Sequence, residues 1–237
     1  MYLLAIDTET TGLDVTKDNI IELGYAIYHI DNPAPLVMRN SLIYIKSEIP
    51  EIITEITGIT QAMLEKAGER AFDVFTKLLK DISDYDIKWF IGQNILEFDS
   101  PILYNNLLRE GLTFPKLNMI DTKTDIKWSV PTKSNKLSYL AADHGFINPF
   151  PHRALTDAMT CAVLLYKYDI YKILEISVTS MLEIRADVNY DSRELAKTLG
   201  YYWDGERKIW VKKIREFYLN EEKSKATFPV LITKKYA

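Results

Sequence analysis

Asp7 and Glu9 stand two apart where a nearly all-apolar run, residues 2–6, ends. Alternate side chains of an extended chain point the same way, so these two carboxylates aim at one place. Two adjacent carboxylates repel unless a cation lies between them, which makes the pair a candidate divalent-metal site. The same spacing recurs at Asp204-Gly-Glu206, in what reads as a turn, so spacing alone is weak evidence. The first pair differs in its context: a buried strand precedes it, and Thr10, Thr11 and Gly12 follow with hydroxyls and a permissive backbone where a ligand can approach closely. Asp99 lies where a strand and loop lead into a helix with Pro101 in its first turn. Taken alone, Asp99 or Ser100 fits an N-cap better than a metal site. Asp157 falls in the first turn of a later helix, where the helix dipole also favours a carboxylate. His152 precedes it by five residues after Pro149-Phe-Pro151, a spacing that puts the two on different helix faces and leaves His152 on an extended loop, free to lean toward the acids. A histidine there is suited to proton transfer near neutral pH. His29, within a strand pattern, and His144, beside a helix-ending glycine, read as structural or solvated.

The elements that must position these groups follow from hydrophobic periodicity. Residues 2–6 read as a strand buried on both faces, residues 20–30 and 36–45 as two further strands, and residues 31–35 as the turn between those two. Helices are predicted over 72–82, 99–110 (stopped by Gly111), 136–145 (also ended by glycine) and 156–171, with one more strand at 88–91. Strands first, then helices alternating with a strand, predict an α/β domain with a mixed sheet. Helical periodicity fades near 175–183, so the expected division is 1–177 and 178–237. In the second part a helix at 193–199 and strands at 208–212 and 228–233 predict a small α+β unit.

Composition bounds the rest. The 237 residues are 47% apolar and 26% charged, an ordinary globular balance that excludes extensive disorder. Cys161, the single cysteine, excludes an intramolecular disulfide framework and a multi-cysteine zinc site and fits a reducing, cytoplasmic setting. No apolar run reaches the length of a membrane span, and residues 1–7 are too short and too soon acidic for a signal peptide. The net charge of −4 divides into −7 over residues 1–177 and +3 over 178–237. An acidic body of this kind excludes a non-specific nucleic-acid binder and suits a site that collects divalent cations, which then mediate contact with phosphates.

The order D-x-E … D … H-x-x-x-x-D resembles the DnaQ-like 3′→5′ exonucleases of the DEDDh class. The matching segments are Ala5-Ile-Asp7-Thr-Glu9-Thr-Thr-Gly-Leu13, Asn94-Ile-Leu-Glu-Phe98-Asp99 and His152-Arg-Ala-Leu-Thr-Asp157, with support from Ile21-Glu-Leu-Gly24 and Thr57-Gly-Ile-Thr60. Asn94 stands five residues before Asp99, where many members have four, and Gln93 replaces a frequent histidine. Asp121-Thr122 is also similar to a family segment and is read as structural. The resemblance implies a ribonuclease H-like fold, a mixed β-sheet flanked by helices, over about residues 1–175. It further implies that Asp7 bridges two divalent cations, Mg²⁺ or Mn²⁺, with Glu9 and Asp157 on the first and Asp99 on the second. His152 would take the proton of the attacking water, and nucleoside 5′-monophosphates would leave from a single-stranded 3′ end of DNA or RNA. By the same analogy Thr10, Thr11, Gly12, Leu13, Asn94 and Phe98 contact the substrate, although Leu13 and Phe98 read equally well as core residues.

The tail pattern Asp187-Val-Asn-Tyr190 … Ala196-Lys-Thr-Leu-Gly200 … Trp203-Asp204 … Lys208-Ile-Trp210 resembles a small module attached to DNA-processing proteins. In so small a unit Trp203 and Trp210 are expected in the core rather than as base-stacking platforms. Lys197, Arg207, Lys208, Lys212 and Lys213 form a candidate phosphate-binding face, and docking to a polymerase or another replication or repair protein is equally open.

Overall fold

A computed structural model describes residues 1–130 and 134–236, and the chain divides into two compact units, Met1–Ile173 and Leu174–Ala237. Among the described residues of the first unit, β1 (Tyr2–Thr10), β2 (Ile20–His29), β3 (Pro35–Leu42), β4 (Trp89–Gly92) and β5 (Asn118–Asp121) form one sheet in the order β3-β2-β1-β4-β5. The first three strands run antiparallel, while β4 pairs parallel with both β1 and β5. β1 is therefore central, which is why Leu3, Leu4, Ala5 and Ile6 are apolar without alternation. The edge strand β3 instead alternates exposed with half-buried residues along most of its length.

Helices α1 (Glu51–Thr57), α2 (Gln61–Ala67), α3 (Ala71–Asp84), α4 (Asp99–Arg109), α5 (Leu137–Asp143) and α6 (Ala154–Leu165) accompany the sheet. Val74, Phe75 and Leu78 of α3 and Ile102, Leu103 and Leu107 of α4 share a core with Leu4, Ile6 and Phe90 of the strands. The Thr57-Gly-Ile-Thr60 segment is the corner between α1 and α2. Gly58 takes φ +71° to end α1, and the Thr60 hydroxyl accepts the Met63 amide at 3.3 Å to begin α2. None of the helices in the described residues is long and apolar enough to cross a membrane.

Beyond shifts of a few residues at several element ends, two differences from the sequence reading bear on the site. β1 continues to Thr10, because β2 pairs with it that far. The single helix expected over 156–171 is two: α6 ends at Leu165 and α7 (Ile170–Ser177) begins after a turn. The break is local chemistry. Lys167 and Tyr168 donate to carbonyls only three residues back, and the Asp169 carboxylate accepts the Lys172 amide at 3.1 Å as a new N-cap. Periodicity runs straight through such a join, so it left no signal. The sequence reading also missed α1, α2 and β5.

The second unit contains β6 (Met181–Ala186), α8 (Arg193–Thr198), β7 (Tyr202–Asp204), β8 (Ile209–Arg215), α9 (Leu219–Lys225) and β9 (Val230–Tyr236), with sheet order β7-β8-β6-β9. Its core is Leu182, Ile184, Ala186, Ala196, Tyr201, Ile214 and Val230. Trp210 packs against that core and lies opposite Trp203 across the β7–β8 pair, their rings 5.7 Å apart. Trp203 itself is half exposed, so the expectation that both tryptophans are core holds only for Trp210. Trp203 lies on β7, the three-residue edge strand of that sheet.

Candidate active site

The site gathers at one end of the central strands. β1 presents Asp7 and Glu9, separated by one residue and so on the same face. The parallel neighbour β4 ends at Gly92, where the loop 93–98 turns into α4 and places Asp99 as its first helical residue. From the other side α6 packs on β1 and β2 and carries Asp157 in its first turn. That approach needs a glycine on β2: a Cβ on Gly24 would lie 2.0 Å from the Leu155 nitrogen and 2.3 Å from the Ala154 carbonyl carbon.

Asp7, Glu9 and Asp157 each offer a carboxylate oxygen, and these atoms lie within 4.8 Å of one another. Asp99 is not in that trio. It is buried, accepts the Thr8 hydroxyl at 2.8 Å, and its charge acts strongly on Asp7. Phe98, not Asp99 or Ser100, is the N-cap residue of α4, and no side chain caps that end, so the capping role expected for Asp99 from sequence is absent. Burial, followed by the neighbouring charges of Asp99, Asp157, Glu9 and Glu22, pushes Asp7 well above the usual carboxylate range. Burial first, and then Asp157 and Glu22, pushes Glu9 to about 8. Burial likewise raises Asp99 to about 7, against the Thr8 hydrogen bond, and raises Asp157 against its bonds from His152 and Asn148. Converging acids that resist ionisation when bare are what a cation-binding site looks like without its cation. Oxygen donors of this kind fit a hard divalent cation such as Mg²⁺ or Mn²⁺.

His152 belongs to the same place, though not on an extended segment. Its backbone is left-handed, φ +61°, and its N–H donates to Asp157 Oδ2 at 3.1 Å, while the ring is exposed. The turn replaces the loop inferred from the prolines because Asp157 needs a donor at its open oxygen. The other oxygen is taken by the side-chain amide of the buried Asn148. His29 and His144 have ordinary settings. His29 closes β2, and His144 ends α5 with its ring between the Leu140 carbonyl and the Tyr168 hydroxyl, 2.6 Å from each. Asp204 lies at a turn and pairs with Arg207 at 2.7 Å, so the second D-x-E builds no acid cluster.

Of the substrate candidates, residues 11–13 form a loop closed by Asp18. Asp18 accepts the Thr11 hydroxyl at 2.9 Å and the Asp14 amide at 2.8 Å, and a Cβ on Gly12 would lie 2.6 Å from its carboxylate. The Thr10 hydroxyl is spent on the Gly12 carbonyl at 2.6 Å. Leu13 is 85% exposed, which removes the core reading, whereas Phe98 is half-buried against the core. Asn94 is left-handed, φ +61°, with its side-chain carbonyl on Lys123 Nζ at 2.8 Å. Asp121, read as structural, ties that loop down. It accepts the amides of Asn94 and Lys123 at 2.9 Å each and of Leu96 at 3.3 Å. In the tail, Arg207 is held by Glu183 and Asp204, and Lys212 by Glu222, which removes two cations from the expected phosphate-binding face. The sequence reading missed Asn148, Glu22 and Arg153 as site-building residues; Glu22, inside the Ile21–Gly24 segment, and Arg153, inside the His152–Asp157 segment, carried a signal, and Asn148 carried none.

Residues 4–165 match the exonuclease family (RNase_T), the chain belongs to it, and its five-stranded mixed sheet flanked by helices is the ribonuclease H-like fold. A domain of unknown function matches residues 182–232. The 3′-5′ exonuclease DinG of Staphylococcus haemolyticus is 31% identical over 163 residues, 68% of this chain but 17% of that protein. This chain thus spans about a sixth of the length of the curated relatives it matches. A solved structure of exonuclease I superposes with TM-score 0.67 at 12% identity, over 94% of this chain and 66% of that one. The nuclease domain of 3′hExo, a DEDDh family member solved with rAMP bound, superposes with TM-score 0.59 at 17% identity, over 70% of this chain and 90% of that one. E. coli exonuclease I in complex with a dA16 oligonucleotide gives TM-score 0.65 at 13% identity, over 98% of this chain and 65% of that chain.

Proposed function

We propose that this protein removes nucleotides one at a time from single-stranded 3′ ends, of DNA in the first instance, by metal-dependent hydrolysis with His152 as general base. The observation that carries the reading is the convergence of Asp7, Glu9 and Asp157 within 4.8 Å, with Asp99 beside Asp7 and the His152 backbone N–H donating to Asp157. Asp7 would hold two divalent cations in common, Glu9 and Asp157 completing one site and Asp99 the other. Bound there, Mg²⁺ or Mn²⁺ supplies Lewis acidity to the attacking water and to the departing 3′ oxygen. The His152 imidazole accepts the proton of that water as its oxygen bonds to phosphorus and the bond to the 3′ oxygen breaks. The products are a nucleoside 5′-monophosphate and a strand with a new 3′-hydroxyl. The exposure of Leu13, in the loop held by Asp18, supports a contact with the terminal nucleotide. An unpaired end enters such a site without the cost of unstacking a duplex, which supports single strands as substrate.

Residues 1–177 are assigned to catalysis and 178–237 to engaging the strand or a partner such as a polymerase, in a cytoplasmic setting. The single-stranded DNA in the exonuclease I complexes supports DNA, and the rAMP in the 3′hExo structure keeps short RNA as the second reading. The test offers 5′-labelled DNA and RNA strands of the same sequence with Mg²⁺ to wild type and Asp7→Ala. Shortening from the 3′ end by wild type alone, faster on DNA, is expected. Equal inertness of both proteins would leave a non-catalytic binding scaffold, and faster loss of RNA would reassign the substrate.

A further inference from the structure

Glu22, on β2, is fully buried, yet it is a carboxylate placed beside Asp7, Glu9 and Asp157. Its two oxygens are heavily engaged. Arg153 Nε donates to both at 3.1 Å, Arg153 Nη2 to Oε1 at 2.5 Å, Asn40 Nδ2 to Oε1 at 2.9 Å, and the Ala154 amide to Oε2 at 3.0 Å. Arg153 is the N-cap residue of α6 and makes no side-chain cap of its own. Glu22 therefore caps α6 from another strand, taking an amide of the first turn and setting negative charge at the positive end of the helix.

A fifth carboxylate works against the acid cluster electrostatically, and Arg153 offsets it, drawing Glu9 back down. The gain lies in position. The body of α6 is fixed without Glu22, because Ala154, Ala158, Cys161 and Leu165 are fully buried and the first turn lies on Gly24. The turn just before α6 is not packed in this way: Phe150 and His152 are exposed, His152 is left-handed, and the turn hangs on a few hydrogen bonds, the His152 N–H to Asp157, the Phe150 N–H to Asn148 and the Thr156 hydroxyl to the Phe150 carbonyl. A non-glycine residue keeps that conformation only where its surroundings hold it there. Glu22 grips Arg153 and Ala154, the two residues that follow His152.

We propose that Glu22 and Arg153 form a positioning pair that fixes the turn at His152, and so the imidazole, relative to Asp7, Glu9 and Asp157. This rests on His152 being the general base, and the test separates the two ideas. Turnover is measured for Glu22→Gln, His152→Ala and the double variant, with Mn²⁺ half-saturation and KM for a short oligonucleotide alongside. Glu22→Gln keeps the shape and an acceptor but loosens the grip on the guanidinium. It is expected to lower kcat about 10–100-fold, since misplacement by an ångström costs that order, with KM and Mn²⁺ half-saturation nearly unchanged. In the His152→Ala background the same change should cost nothing further. An equal loss in both backgrounds, or no loss in the wild-type background while His152→Ala is slow, overturns the pair's role and leaves the base intact. Normal turnover of His152→Ala overturns both. Arg153→Lys, which keeps the charge and loses the fork, is read by the same criteria and decides the matter if Glu22→Gln does not fold.

Discussion

In the second unit, Glu183 faces Arg207 at 2.8 Å, Glu222 faces Lys212 at 2.8 Å and Glu216 faces Lys235 at 2.7 Å. At the five-stranded sheet, Asp7 and Glu9 of β1 converge with Asp157 of α6. The consequences are opposite in sign: the Arg207 guanidinium holds Glu183 below the usual carboxylate range, while burial and like charge push Glu9 to about 8. One region arranges charge for folding, the other for a ligand the chain itself does not supply. Where a protein places charges against its own stability, it is reserving that place for something else.

The sharpest way to break this contrast is Asp7→Asn. Turnover should fall to near background, while the metal-free protein becomes more stable, by about 1 kcal/mol, because one buried like charge is gone. Parallel activity assays and thermal melts check it; a lower melting temperature would mean that the cluster is not self-repelling. His152→Ala comes next. It should lower kcat roughly 10²–10⁴-fold, the usual range for general acid–base catalysis, and leave the melt and Mn²⁺ half-saturation unchanged.

In the second unit the expected effect is on stability instead. Lys212→Met leaves the Glu222 carboxylate, 8% exposed, without its cation. That costs about 3 kcal/mol, the low end for breaking a buried pair because a quarter of the lysine side chain remains in solvent. Denaturant melts read the loss, and hydrolysis of a short oligonucleotide below the unfolding range should be unaffected.

The smallest effect separates the regions by pH. A carboxylate whose folded pKa is raised holds its proton in the native state after the unfolded chain has released it. Stability of the metal-free protein therefore falls as pH rises from about 4.5 to about 8, the window set by Glu9. Saturating Mg²⁺ should cancel that slope, adding about 2.7 kcal/mol at a hundredfold excess over Kd, and should help most at the alkaline end. Melting curves across this window with and without Mg²⁺ test it. An Mg²⁺ benefit that grew toward acid pH would contradict the assigned ligands.

Much of this site is legible along the chain. Asp7 and Glu9 are separated by one residue on a strand, and Asp157 sits one helical turn into a helix. These are short-range facts with short-range signals. Helix ends at Gly111 and Gly145 were equally readable, since both adopt positive φ, as a helix-terminating glycine does. The helix join at residues 166–169 was not, because a capping aspartate inside a continuous apolar stripe leaves periodicity intact. Trp203 misled for a related reason: a large aromatic predicts burial by type, and only the strand order reveals that it sits on an edge strand.

The order of carboxylates and histidine, the strand that carries the first two, and the class of chemistry they permit were properties of the sequence itself, because each depends on neighbours a few residues away. That Asp99 and Asp157 come to Asp7, that Glu22 is a buried cap and not a surface acid, and that His152 turns left-handed were decided only by tertiary structure. They rest on the parallel pairing of β1 with β4 and on α6 lying against Gly24. Such contacts join segments distant in the chain, and their energies depend on packing that no local pattern records.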